Sequence, residues 1–220
     1  MNKNALIFRD LEADEIECRI ATVNEKGLSL LLYKDARCDM NILDETVGAY
    51  NWQRRHSREN ANCSVEIWDE DKRQWIAKED TGTESFTEAQ KGLASDSFKR
   101  ACFNWGIGRE LYTAPFIWIK AEDCTIKPRS DGKYVSYDKF KVQAIAIKDK
   151  RITGLSIYSI SEKKIVYTYG KVSDPRQELK TFIQENGLDE ATVCNACGLN
   201  STSGSKDFKA ALEYARGLVS

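Results

Sequence analysis

The chain predicts an α+β fold. The order is a sheet, a central helix and then more sheet, with a small C-terminal helical appendage. Three observations carry that expectation. Short apolar-rich runs bounded by turn residues lie on both sides of one long amphipathic segment, residues 88–112. The chain has 220 residues, 41% hydrophobic and 30% charged, which suits one substantial domain plus an appendage. Near Gly170 the strand-like pattern ends and only helical periodicity follows.

Each element has its own signal. Glu15 to Val23 and Leu28 to Lys34 flank Asn24-Glu25-Lys26-Gly27, a hairpin signal with glycine in the turn. Asp35 to Val47 reads as a helix, with Met40, Leu43 and Val47 at helical spacing, Gly48 after it and Arg37 in its first turn. Asn62 to Asp69 and Arg73 to Glu79 read as paired strands joined by Glu70-Asp71-Lys72. In the first of them Val65 and Ile67 alternate with Glu66 and Trp68, as in a half-exposed sheet. The helix from about Thr87 to Trp105 comes next. At about 100° per residue, Ala94, Phe98, Ala101 and Trp105 share one narrow face with Cys102 at its margin. Asp96, Lys99, Arg100 and Phe103 fall broadly opposite. Thr83, Ser85 and Thr87 are candidate N-caps, and Gly106 and Gly108 supply the stop. Phe116 to Ala121, Lys141 to Ile147, Ile152 to Ile160 and Lys164 to Tyr169 complete the strands. Residues 1–170 are thus expected to form one domain and 171–220 a small helical region. In the latter, Ser173 or Asp174 caps a helix with Pro175 in its first turn and Leu179, Phe182 and Ile183 on its inner face. Asp189 to Cys197 and Lys206 to Leu218 give two further helices, separated by a loop over 200–205.

Charge and cysteine content bound the function classes. The 33 basic and 34 acidic residues leave a net charge of −1, against a uniformly basic nucleic-acid binder. A local basic stripe still acts almost independently of distant acids, because salt screens them. The charges are in fact segregated. Asp10, Glu12, Asp14, Glu15 and Glu17 make an acidic stretch. Arg54, Arg55, His56 and Arg58 cluster, and Lys127, Arg129, Lys139, Lys141, Lys148, Lys150 and Arg151 make a later basic region. Seven scattered cysteines do not form a secreted disulfide framework, and Cys194 and Cys197 are half a zinc site with no second half. No apolar run approaches the ~20 residues of a membrane span, and no cleavable leader follows Met1. A cytoplasmic protein without metal or cofactor is expected.

Catalytic constellations are sparse. His56 is the only histidine, which removes histidine-dependent triads. No phosphate-cradling GxxxxGK[ST] loop is present. Glu66, Asp69, Asp71, Glu79, Asp80 and Glu84 leave open a metal-dependent nuclease using Asp80 and Glu84, although hairpin turns and strand ends explain these acids more simply. Basic and aromatic residues are interleaved: Tyr50, Trp52, Arg54 and Arg55; Trp68, Lys72, Arg73, Trp75 and Lys78; Lys99, Arg100 and Phe103. Cations neutralise phosphates and rings offer stacking platforms. The plainer alternative is that Lys99 and Arg100 are the solvated face of a core helix, that Trp68 or Trp75 is buried, and that Trp52 is structural.

Three segments carry a family resemblance. They are Leu43-Asp44-Glu45-Thr46-Val47-Gly48 with Asn51-Trp52-Gln53; Asp80-Thr81-Gly82-Thr83-Glu84-Ser85; and Lys91-Gly92, Ser95-Asp96, Lys99-Arg100-Ala101, Asn104-Trp105-Gly106-Ile107-Gly108-Arg109 and Leu111-Tyr112. Together they resemble the single-strand annealing proteins of the Rad-fifty-two-like superfamily, in its phage and prophage Sak-type recombinase branch. The resemblance implies a curved antiparallel β-sheet packed on a long central helix, in a β-β-α-β-β-α-β-like order, and a non-enzymatic, ATP-independent protein of recombination and repair that binds single-stranded DNA, anneals complementary strands and assembles into a ring or filament of one chain. It implies DNA contacts by Lys99 and Arg100, by Lys91 two turns earlier and by Arg37. Arg54, Arg55 and Phe103, where some relatives carry arginine, are added from the basic-aromatic pattern. Residues 171–220 lie outside the resemblance. They are expected to recruit a partner, such as a single-strand-binding protein; a partner-recruiting module is also the third alternative for the whole chain.

Overall fold

The computed structural model describes residues 6–83, 89–172, 175–200 and 203–219, without the side chains of residues 89–91, 205 and 206. It is α+β, with antiparallel sheets and five helices among those residues. In chain order these are β1 (Ile16–Asn24), β2 (Gly27–Lys34), α1 (Ala36–Val47), β3 (Trp52–Ser57), β4 (Asn62–Asp69), β5 (Gln74–Thr81), α2 (Ala89–Trp105), β6 (Ile117–Lys120), the two-residue β7 (Lys127–Pro128) and β8 (Tyr134–Val135), β9 (Phe140–Lys148), β10 (Arg151–Ser159), β11 (Lys164–Gly170), α3 (Pro175–Glu185), α4 (Glu190–Ala196) and α5 (Ser205–Gly217). No helix among the described residues is long and apolar enough to cross a membrane. The chain divides into two compact units, residues 1–11 with 34–112 and residues 12–33 with 113–220.

In the first unit, β3, β4 and β5 form a three-stranded antiparallel sheet backed by α2. The alternation along β4 decides which face is covered. Cys63, Val65 and Ile67 are buried, whereas Asn62, Ser64, Glu66 and Trp68 alternate with them on the other face. Opposing them from α2 are Leu93, Ser97, Phe98, Ala101 and Cys102, all buried. The inward face of α2 is therefore the expected one, widened by Leu93 and Ser97, while Ala94 and Trp105 sit half-buried at its margins. Gly82 permits the close approach of sheet and helix, since a Cβ there would lie 2.6 Å from the Ser97 nitrogen and 2.7 Å from the Leu93 oxygen. Trp105 donates its indole N–H to the Val65 carbonyl at 2.9 Å.

Two features correct the sequence expectation here. Trp52–Ser57 is a strand, and the helix backs this small sheet rather than one large sheet. Period-2 patterning is hidden in β3 because, as an edge strand, it carries Arg54, Arg55 and His56. Neither tryptophan of the next hairpin is buried. Trp68 and Trp75 are cross-strand partners with rings 5.5 Å apart, and Trp75 is 38% exposed. Because Val65 and Ile67 take the helix-facing positions, Trp68 and its partner must lie on the face opposite α2.

The second unit holds a six-stranded sheet in the order β11-β10-β9-β1-β2-β6. Leu28 pairs with Ile119 and Leu30 with Ile117, all buried, and Leu155 and Ile157 of β10 are fully buried. The sheet curves until its edges approach: the Tyr167 hydroxyl of β11 donates to the Phe116 carbonyl beside β6 at 3.2 Å. The segment 171–220 contributes three helices with a shared core of Leu179, Ile183, Val193, Ala211, Leu212 and Ala215. Asp189 caps α4 by accepting the Thr192 N–H at 2.8 Å. Ser173 and Asp174, the expected caps of α3, lie outside the described residues.

Candidate nucleic-acid interface

The first unit carries the residues singled out for phosphate contact, on helices α1 and α2 and on strand β3. The start of α1 is set by Asp35, whose carboxylate accepts the Arg37 N–H at 2.7 Å, a helix-capping bond. The Arg37 guanidinium turns back on the same carboxylate, with Nη2 at 2.7 Å and Nε at 3.1 Å, and the side chain is 82% exposed. The side-chain and backbone bonds from Arg37 hold the Asp35 carboxyl down at about 2, and the charge of Lys99 acts in the same direction. Lys99, from the middle of α2, is thus brought into the field at the start of α1. It is half-buried and forms no ion pair with a described residue.

Arg100 points elsewhere. Successive helical residues are ~100° apart, and Arg100 donates Nε–H to Asp96 one turn earlier at 2.9 Å, with the two side chains 37% and 29% exposed. Asp96 also accepts from the Thr83 N–H at 2.9 Å and the Thr83 hydroxyl at 3.1 Å. Burial pushes the Asp96 carboxyl up, but the Thr83 and Arg100 bonds outweigh it and the net direction is down. Thr83 thus tethers the middle of α2 rather than capping its start; Ser85 and Thr87 lie outside the described residues. The expected adjacent Lys-Arg pair therefore splits, with Lys99 toward α1 and Arg100 held by an acid of its own helix.

The remaining candidates separate further. Lys91 is within α2, but its side chain lies outside the described residues. Arg54 is exposed on the helix-facing side of β3 and places its guanidinium 4.8 Å over the Phe98 ring, which also stacks on Trp52 at 6.2 Å. Trp52 in turn donates its indole N–H to Asp44 at 2.7 Å. Arg55 follows Arg54 in a strand and must point to the opposite face. There it lies 3.5 Å from Glu66 and is 70% exposed. Phe103 is half-buried, its ring covered by the Lys34 ammonium at 4.5 Å and touched edge-on by Tyr112 at 4.9 Å. That ring is occupied by a cation of the protein itself.

Sequence reasoning missed the group beneath this surface. Lys34 at the end of β2 and Asp39 of α1 are 1% and 0% exposed and form an ion pair. Burial drives the Asp39 carboxyl up to about 6, against the opposing pull of Lys34, Lys99 and Cys102. Burial and the Asp39 charge push the Cys102 thiol well up. The only signal available was Gly108: its φ of 68° suits glycine, and a Cβ there would lie 2.8 Å from the Lys34 Cδ and closer still to Cε. The turn after α2 thus leaves room for the lysine stem. Arg109 then closes the helix by donating to the Phe103 carbonyl at 2.8 and 3.1 Å.

Other candidate chemistry is placed only in part. Asp80 accepts from the Asn104 amide at 3.2 Å, while Glu84, its proposed nuclease partner, lies outside the described residues. Among the described residues no group of three or more histidine, cysteine or acidic side chains converges to hold a metal ion. Burial first, and Arg54 second, hold the His56 imidazole below its ordinary range. Comparison with known proteins finds no matching family model, no matching curated protein and no matching solved structure.

Proposed function

We propose that this chain binds single-stranded DNA without reading its sequence, and promotes annealing of complementary strands without ATP, in recombination or repair. The reading rests on the resemblance in the Asp80 to Tyr112 segment, and one structural observation supports it most. Arg37 and Lys99, from two different helices, act on the same carboxylate at the start of α1. Both charges favour that carboxylate, and cations carried on two packed helices can each meet a phosphate. A helix N-terminus adds its own partial positive charge at that place.

Annealing needs grip on the sugar-phosphate chain with base edges left free, and it requires no catalytic residue. Lys99, Arg37 and Arg54 supply grip, and Arg100, 37% exposed, can exchange its part-buried bond to Asp96 for a phosphate. One protomer offers few contacts, each modest and salt-sensitive. A ring or filament of copies would sum them along one strand, consistent with a net charge of only −1. Residues 171–220 then remain available for recruiting a protein partner. The test is binding of a labelled oligothymidine across a salt series. Lys99→Ala should weaken binding and flatten the dependence of log K on log salt by ~0.7. Mixing complementary strands with Mg²⁺ and no nucleotide should give duplex without degradation. Equal affinity of wild type and Lys99→Ala at every salt concentration would refute the reading, and strand degradation would favour the nuclease alternative.

A further inference from the structure

We propose that Lys34 is a positioning residue for DNA binding: through Asp39 and Phe103 it joins α1 to α2 and so fixes the spacing of Arg37 and Lys99. The proposal builds on the single-strand-binding reading above. Its geometry stands on its own.

Three contacts converge on one buried side chain. The Lys34 ammonium bonds the Asp39 carboxylate on α1. The same nitrogen lies 4.5 Å over the Phe103 ring on α2. Its methylene stem fills the space that any side chain at Gly108 would take. Asp39 also lies against Cys102, whose thiol it pushes up in pKa. The joint therefore touches α1, α2 and the turn after α2, and its ion pair is almost fully excluded from water.

The position of the joint relative to the cations gives it a role. Asp39 is four residues after Asp35 and two after Arg37; Phe103 is four residues after Lys99. Residues four apart share a helix face one turn, ~5.4 Å, apart. The joint thus ties the two helices together one turn along from Asp35 on α1 and one turn along from Lys99 on α2. A buried ion pair of this kind contributes little net stability compared with a well-packed apolar pair, and its best-attested use is to fix register. Register between α1 and α2 is what phosphate spacing demands. The same geometry moves Phe103 out of the DNA-contact set, because its ring already serves as the lid of Lys34.

The test pairs variants of the joint with a variant of the surface. Lys34→Met with Asp39→Leu replaces the ion pair by apolar side chains of similar size, and the double variant should remain folded by circular dichroism. Its oligothymidine affinity should fall about tenfold, the size of one lost charge-assisted contact. The decisive readout is coupling: in a Lys99→Ala background the joint variants should cost nothing further, because they act through Lys99. Phe103→Leu provides the same test with a milder change, should the double variant fail to fold. Affinity equal to wild type in the folded joint variants, or losses that simply add to that of Lys99→Ala, would overturn the positioning role. If wild type and Lys99→Ala bind equally, it is the DNA-binding reading itself that fails.

Discussion

The two units bury a sheet in different ways. The six-stranded sheet of the second unit curves until β11 and β6 approach, so apolar residues from several strands meet inside it. The three-stranded sheet of the first unit packs one face against α2, and its other face carries Gln53, Arg55, Ser64, Glu66 and the Trp68–Trp75 pair. A small sheet with one helix cannot seal its whole surface from water. The first unit therefore leaves charged residues at the edges of its core, and one ion pair, Lys34–Asp39, inside it. The difference teaches that the charge-bearing surface and the buried charge have one origin: a thin core whose elements are joined in part by polar contacts.

The comparison breaks most readily at Lys34. Lys34→Ala leaves the Asp39 carboxylate buried without its cation, a change worth about 3–5 kcal/mol. The loss should appear in the first unit alone, as early hydrogen exchange of α1, α2 and β4 while the amides of β9 and β10 stay protected. Uniform loss of protection across both units would mean that the division at residues 34 and 112 has no energetic counterpart. The matching change in the second unit is Leu155→Ala. That side chain is fully buried on the central one of three paired strands, β9, β10 and β11, and its truncation should cost about 2–5 kcal/mol. Here the early exchange should be in β9 to β11.

These contrasts also explain what the sequence disclosed. Where burial follows a period, the reading succeeded. The β1–β2 hairpin, α1, the β4–β5 pair, the inward face of α2 and the three helices after Gly170 all carry alternation or helical spacing in apolar residues. Where a contact joins residues distant in sequence, no local period records it. Lys34 reads as the polar end of a strand, and only the folded chain shows it lodged between Asp39, Phe103 and Gly108. Arg54 and Arg55 read as one basic cluster, but strand geometry sends them to opposite faces. Lys99 and Arg100 read as one pair, yet the helix turns them ~100° apart and Asp96 claims the second. The basic residues were legible as a set, and their separation into distinct environments was not.

A pH series sharpens the comparison with a smaller effect. Asp39 is held at about 6 in the folded protein against an ordinary value of 3.8, because burial disfavours its charge. A group whose folded value is raised adds stability that is fully present below its unfolded value and is lost as pH rises through its folded value. Acidification from pH 7 to about 4.5 should therefore raise the melting temperature of the first unit. Below about pH 4 the trend should reverse, since Asp35, held down at about 2 by Arg37, loses its favourable charge as it is protonated. Asp39→Asn should remove the rise and keep the acid-side fall. A melting profile of Asp39→Asn parallel to wild type between pH 4.5 and 7 would show that Asp39 is not the group responsible.

The smallest expected effect separates the two ion pairs of the first unit. Arg100–Asp96 joins residues one turn apart on α2 and is part-buried yet still reached by solvent, with the side chains 37% and 29% exposed. Exposed pairs at this spacing contribute about 0.3–0.5 kcal/mol, because water already solvates both partners and salt screens them. Arg100→Ala should thus shift the melting temperature by no more than about 2–4 °C, and that shift should shrink in 1 M salt. Its effect on oligothymidine binding should exceed its effect on stability, because a phosphate can replace Asp96 as the partner of the guanidinium. The opposite ranking, a large loss of stability with unchanged DNA affinity, would make Arg100 a structural tether between α2 and Thr83 through Asp96. It would leave Lys99 as the cation of α2 that meets the strand.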